Sequence, residues 1–444
     1  MFGDAITWKN VQIAVGPNTP DSPYSSESQV VNQDDIEKIY KGAQNAMKHA
    51  TPEEKLKFHE AFETANNQDH EDAHLNATQL LQKYNYPVEE HVIRTPDGYN
   101  LTLIRIPQQT HTRDVQKRPV AFLMHDLLGS ADDWLLMGPG KSLAYLLSDA
   151  GYDVWLGNAR GNHYSRHHVS KHPALKEFWQ FSNDEIALHD LPAMIDHALE
   201  TTHQEKLHYV GHGQGVTVLL ALAATEPEYN EKIATLHALA PMAYMSNVRS
   251  PLLKISAPTS HLHEQFRHHF GHGKFDPTPE TMDTVGGSLC ENQIGCKNVC
   301  SNLNFVMAGM NIDGPQPENL PVIMAHLPAG TSTRTIKHFG QAVASHEFRK
   351  YDYGYENNKK VYGTPEPPKY EMNKVQMPTY VYHSEEDWLA HPKDVKRLVS
   401  ELPNMKKTYQ VPEEHFSHMD FQFSKKAPEV VYKQLIDNML ESTE

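Results

Sequence analysis

The stretch Tyr209-Val210-Gly211-His212-Gly213-Gln214-Gly215-Val216 passes from an apolar strand pattern straight into a helical one through the turn G-x-G-x-G. A junction this tight needs small flanking residues and holds its central position, here Gly213, above the end of the strand. A dinucleotide-binding loop fits poorly. The G-x-G-x-x-G spacing fails at Val216, and the strand lies in mid-sheet rather than first. A plain glycine turn remains as the other alternative.

Outward from this junction, short apolar runs alternate with helical stretches. Upstream lie a strand pattern over 120–124, a helix ending near Gly151, a strand over 152–156, a helix over about 184–201 and the strand 207–210. Downstream, a helix leads to a strand over 233–239. The alternation stops between 245 and 374, where Pro, Gly, His and all three cysteines accumulate, and resumes at 379–382 and 407–411. Before it, residues 90–94 and 99–106 flank the turn Thr95-Pro96-Asp97-Gly98 as a hairpin. This pattern predicts an α/β fold: a mostly parallel central sheet with helices on both faces, built from 76–244 and 375–444, with an insertion over 245–374. Residues 1–75 form an acidic extension, a Pro- and Ser-rich arm around 17–28 followed by helices at 34–48 and 52–66.

Composition narrows the partners. Across 444 residues, 40 Lys+Arg face 56 Asp+Glu, a net charge of −16 with neutral histidines. That sign disfavours phosphate backbones and anionic membranes, so no nucleic acid partner is expected. No apolar run approaches the roughly 18 to 20 residues of a membrane span, and Met1-Phe2-Gly3-Asp4 lacks the basic start of a secretory signal. Cys290, Cys296 and Cys300 fit one local disulfide and one free thiol better than a zinc site. Asn76 and Asn100 open glycosylation sequons, and with the cysteines they favour secretion. The 29 histidines are either solvated surface residues or a charge switch; protonating all of them moves the balance from −16 to −16 + 29 = +13.

Hydrolases on such a sheet place nucleophile, acid and histidine in that chain order, each on a loop at the carboxyl end of a strand. Asp387 and His418 follow the last two strand patterns in this way. Alone, each reads more plainly as a surface acid or as one histidine of many. Together with Tyr86-Pro87, Thr95 to Tyr99, His125 to Gly129, Gly151 to Asn162, Phe178-Trp179, Asp184-Glu185 and His189 to Pro192, they resemble the acid lipase family, the gastric and lysosomal type of α/β-hydrolase. Pro328 to Ser332, Tyr351 to Gly354, Asp387 to Ala390 and Ser417 to Phe421 extend the likeness to the C-terminal region.

The resemblance implies the α/β-hydrolase fold with a largely helical cap (lid) over 245–374. It implies Asp387 as triad acid, His418 as triad base, and the backbone N–H groups of Leu127 and Gln214 as the oxyanion hole. Cys290 and Cys300 match the cap disulfide with one extra residue between them, leaving Cys296 over. Two positions depart from the family: Gly213 stands at the nucleophile, where the serine is lost, and Asp126 replaces a glycine in the oxyanion loop. Without a hydroxyl nothing attacks an ester, and His418 has nothing to deprotonate. Losing a triad serine costs on the order of a million-fold in turnover. Ser130 and Ser288 lack the flanking pattern of a substitute. An inward, ionised Asp126 would also oppose the developing oxyanion.

The implied protein is a catalytically impaired or inactive lipase homologue. With its acidic extension it resembles the lipase-derived yolk proteins of moth eggs, which implies a storage (nutrient reservoir) protein, secreted or held in yolk granules. Its partners would be a lipid or fatty acyl ligand under the cap, a second copy of the chain, and proteases that mobilise it. The alternative is an active or weakly active lipase or esterase acting on acylglycerols or other carboxylic esters, with His418 and Asp387 activating water. No cofactor and no metal are expected.

Overall fold

The computed structural model describes residues 70–107, 118–259, 273–275, 307–308 and 317–442. The arm, the helices expected at 34–48 and 52–66, Ser288 and the three cysteines lie outside the described residues.

Among the described residues one sheet contains β1 (Glu89–Arg94), β2 (Tyr99–Ile106), β3 (Val120–Met124), β4 (Asp153–Leu156), β5 (His167–His168), β6 (Leu207–His212), β7 (Ile233–Leu239), β8 (Thr379–His383) and β9 (Met405–Gln410). Their spatial order is β1-β2-β4-β3-β6-β7-β8-β9, with β5 beside β2. From β4 to β9 the neighbours run parallel, while β1 and β2 form the antiparallel hairpin at one edge. Strands β3, β4 and β6 are buried at every position, as expected of strands covered on both faces; β3 is an unbroken apolar run, while β4 and β6 also bury Asp153, His208 and His212. Strand β9 is the opposite edge, and exposed Lys406 and Lys407 guard it against further pairing.

The helix expected over 184–201 is two helices, Asn183–Glu185 and Leu191–Thr202, joined by a wide turn over Ile186–Asp190. Pro192 has no N–H to give to the preceding turn, which favours this break. Asp190 there is fully buried. It accepts the Arg160 N–H at 2.9 Å and the Arg160 guanidinium at 2.7 Å, and Arg160 reaches on to both oxygens of Asp97 at 2.6 and 2.9 Å. One buried guanidinium thus ties the hairpin turn, the loop after β4 and this helix together.

The described parts of 245–374 are mainly helical, with Pro251–Ser256, Leu320–His326, Thr333–Ser345 and Tyr355–Tyr362 as the longer pieces. A second apolar cluster, separate from the main core, joins Leu252, Leu253, Ile336 and Phe339 of this region to Leu127, Leu128 and Leu389 of the loops above the sheet. Residues 71–74, assigned to the extension by sequence, form a helical turn against the body. Its buried Asp72 binds Lys83 and Tyr84, and the Leu75 carbonyl meets His326 Nε2 at 2.8 Å.

Candidate active site

Strand β6 ends at His212, and the helix Gln214–Thr225 begins one residue later. Gly213 between them has φ 48° and ψ −108°, a conformation that strains any residue with a side chain. Its N–H donates to the Leu239 carbonyl at 3.0 Å, which fixes the turn to the end of β7. A Cβ at Gly215 would overlap the Met124 carbonyl, so the helix can approach β3 only with glycine there. The G-x-G-x-G turn is therefore built as an elbow, with its central position aimed above the sheet.

The space above Gly213 is filled from another loop. After β3 the chain turns at Asp126, closed by the Gly129 N–H donating to the Asp126 carbonyl at 2.9 Å. His125 holds this turn. Its Nε2 accepts the Ala159 N–H at 3.0 Å, so Nδ1 carries the proton and donates to the Asp126 carbonyl at 2.7 Å. Burial pushes His125 down to about 4, keeping it neutral. So held, the Asp126 side chain points inward, and a Cβ built on Gly213 would overlap its carboxylate. Asp126 Oδ1 accepts the Gln214 N–H at 2.7 Å, and Oδ2 lies 2.9 Å from His418 Nε2.

The other side of His418 carries the expected acid. Asp387 Oδ2 lies 2.8 Å from His418 Nδ1, while Oδ1 accepts the N–H groups of Leu389 and Ala390, both at 2.8 Å. Asp387 and His418 are fully buried and Asp126 nearly so. Burial alone would push the imidazolium down. The carboxylates of Asp387 and Asp126 outweigh it and raise His418 to about 10. For Asp126, burial raises and the His418 charge lowers, and the result falls to about 2. At neutral pH His418 is thus an imidazolium, with the Asp126 carboxylate on its Nε2 side and Asp387 on its Nδ1 side.

The structure therefore brings Gly213, Asp387, His418, Asp126 and Gln214 together. The Gln214 N–H is already committed to Asp126, and the Leu127 side chain is buried in the second apolar cluster. Ser130 is spent as a helix cap, its hydroxyl accepting the Asp132 N–H at 3.2 Å. Asn76 is exposed and caps the helix Ala77–Lys83, while half-buried Asn100 lies in β2 beside Arg94.

His212 had no role assigned from sequence, although the motif quotes it. Its ring stacks on that of His418 with centroids 4.6 Å apart, and its Nε2 faces the His418 carbonyl at 3.1 Å. A signal existed only in its position next to the elbow centre. The Gln214 side chain similarly donates to Asn183 Oδ1 at 2.7 Å, a partner without any sequence motif.

The parallel sheet, the elbow after β6, and an Asp–His pair after β8 and β9 define an α/β-hydrolase. A partial α/β-hydrolase lipase region matches residues 77–138, and the α/β hydrolase fold matches 122–282. The chain is 42% identical over 354 residues to Lipase 3 of Drosophila melanogaster, covering 80% of this chain and 90% of that protein. It is 38% identical over 373 residues to the gastric triacylglycerol lipase of Bos taurus, covering 83% and 92%. The chain belongs to the acid lipase family. Among the described residues, no helix is long and apolar enough to cross a membrane.

Proposed function

We propose that this chain is a non-hydrolytic acid-lipase homologue that serves as an egg yolk reservoir protein and holds lipid or a fatty acyl chain under its cap. The observation that carries the loss of hydrolysis is the Asp126 carboxylate standing where a serine side chain at 213 would be. Each requirement of acyl transfer is affected. Gly213 offers no nucleophile. His418 is protonated on both nitrogens at neutral pH and cannot act as base. The Gln214 N–H that would receive an oxyanion already holds Asp126 Oδ1. A carboxylate 4 Å from a developing oxyanion opposes it by about 4 kcal/mol at an effective dielectric of 20.

The storage role is supported by the likeness to lipase-derived yolk proteins and by the acidic balance of −16, which suits a concentrated, soluble reserve. The test has two arms. Purified full chain assayed on a short-chain ester should show no turnover that depends on His418; hydrolysis abolished by His418→Ala overturns the first half. Antibody staining should place the chain in yolk granules and follow its depletion during embryogenesis. Its absence from oocytes overturns the second half.

A further inference from the structure

Among the described residues six large apolar side chains are exposed, and four of them fall in two short segments. Val169 and Leu175, both 56% exposed, lie on the loop after β4, and Tyr355 and Val361, at 46% and 57%, lie on the helix Tyr355–Tyr362. Single exposed apolar residues are ordinary; pairs set among cations are not. Residues 166–176 contain three Arg or Lys and three His with no acid, and the helix carries Lys359 and Lys360 against Glu356. No carboxylate pairs with Lys171, Lys176 or Lys360 among the described residues.

Both segments are held in place. The Val169 N–H donates to the Gly98 carbonyl at 3.0 Å, and Trp179 Nε1–H to the Pro173 carbonyl at 2.7 Å, pinning the loop to the hairpin turn and to the buried indole. The helix is anchored by buried Asn358, whose amide donates to Asp352 Oδ1 at 2.8 Å and to the Pro365 carbonyl at 2.9 Å. Arg334 joins the two. Its guanidinium donates to the Gln180 carbonyl at 3.1 Å and lies 5.6 and 5.7 Å from the ring centroids of Tyr351 and Tyr353, and Tyr353 stands 5.9 Å from Tyr362. Because β4 runs parallel to β3 and β6, the loop leaves the sheet at the end that carries the elbow.

We propose that this patch docks on an anionic phospholipid surface, the four apolar side chains entering the interface and the lysines beside them meeting headgroup phosphates. The combination selects the partner. Cations alone suit any polyanion, whereas apolar tips flanked by lysine stems fit the boundary between acyl chains and charged headgroups. The net charge of −16 repels such a surface from the molecule at large. It therefore orients the chain, because this patch carries the opposite sign. The docking stands whether or not the chain hydrolyses esters or holds lipid, so its failure leaves the proposed function untouched.

The test is co-sedimentation of the full chain with vesicles of phosphatidylcholine alone and with about 30% phosphatidylserine. Binding to the anionic vesicles should exceed that to the neutral ones at least ~10-fold at about 50 mM salt and weaken at about 500 mM, as screening requires. Lys171→Glu with Lys176→Glu should cost at least ~20-fold, and Val169→Ser with Leu175→Ser at least ~10-fold. Leu440→Ser, at a residue 48% exposed on the C-terminal helix Lys433–Glu441 beside β8, should change nothing. Equal binding to neutral and anionic vesicles, or full binding in both double variants, overturns the site. Capture by heparin that depends on the same lysines, with vesicles left unbound, overturns it in favour of a soluble polyanion. If the variants fail to fold, amide exchange on the unmodified chain decides: slowing at 167–177 and 355–362 on adding anionic vesicles supports the site, and slowing only elsewhere overturns it.

Discussion

At Gly213 the missing hydroxyl is half of the change, because the Asp126 carboxylate has taken its place. Gly213→Ser alone should stay inactive on a short-chain ester: the new side chain meets Asp126, and His418 remains an imidazolium. Asp126→Gly with Gly213→Ser should raise turnover by at least ~10³-fold over the unmodified chain, since it restores nucleophile, free base and open oxyanion hole together. Equal activity of the single and double variants would show that Asp126 does not block the site. Gly213, Asp387 and His418 were legible because their chain order and motifs are specific. Asp126 was legible as a departure only; whether it faces inward depends on a turn pinned by His125 and Ala159, 34 residues apart in the chain. The contact of His212 is with a carbonyl 206 positions away, and no local spacing encodes that.

The central strands were readable from their short apolar runs and the hairpin from its turn residues, while the two-residue β5 (His167–His168) carried no such signal. What escaped were features set across elements, such as the break over Ile186–Asp190, where buried Asp190 serves Arg160 on another loop. Arg160→Met should lower stability by about 3 to 5 kcal/mol, leaving two acids without their shared cation; denaturant titration measures it, and a loss below 1 kcal/mol would contradict the role. A second such feature crosses β6, β7 and β8. The Asn438 amide donates to the Tyr382 hydroxyl at 2.8 Å, Tyr382 to His237 Nδ1 at 3.1 Å, His237 Nε2 to Thr235 at 3.0 Å, and Thr235 to His208 Nδ1 at 2.7 Å. The relay works only with both imidazoles neutral. Burial pushes His208 down to about 4 and His237 well below its ordinary value. Because these folded-state values are depressed, their stability contribution is whole above pH 6.5 and is lost as pH falls. His208 alone accounts for on the order of 3 kcal/mol between pH 6.5 and 4. The urea midpoint should drop across that window, and His208→Gln should shrink the drop; a midpoint flat from pH 6.5 to 4 would exclude the mechanism.

For the molecule as a whole, the histidines among the described residues are not alike, as composition alone had treated them. His125, His208, His212 and His237 are buried and held below their ordinary range, while His418 is already charged at neutral pH. The full swing from −16 to +13 is therefore not reached. The balance starts at −16 + 1 = −15, and with those four imidazoles held neutral it cannot exceed −16 + 25 = +9 while the carboxylates stay ionised; His197, His383 and His391, which burial also pushes down, lower that ceiling further. Electrophoretic mobility should reverse sign between pH 7 and 5, with turbidity greatest near the reversal; unchanged mobility would sink the charge-switch reading. The same chain also carries a constraint on its own history in the 87 positions that separate Asp126 from Gly213. On the proposed function, a single codon change does not bring back ester hydrolysis. A serine arriving first meets the carboxylate, and a glycine arriving first at 126 strips a buried cation of one of its two counter-charges. Either route passes through a poorer protein, so the proposed loss of chemistry is held in place by two distant residues, Asp126 and Gly213, that fit each other.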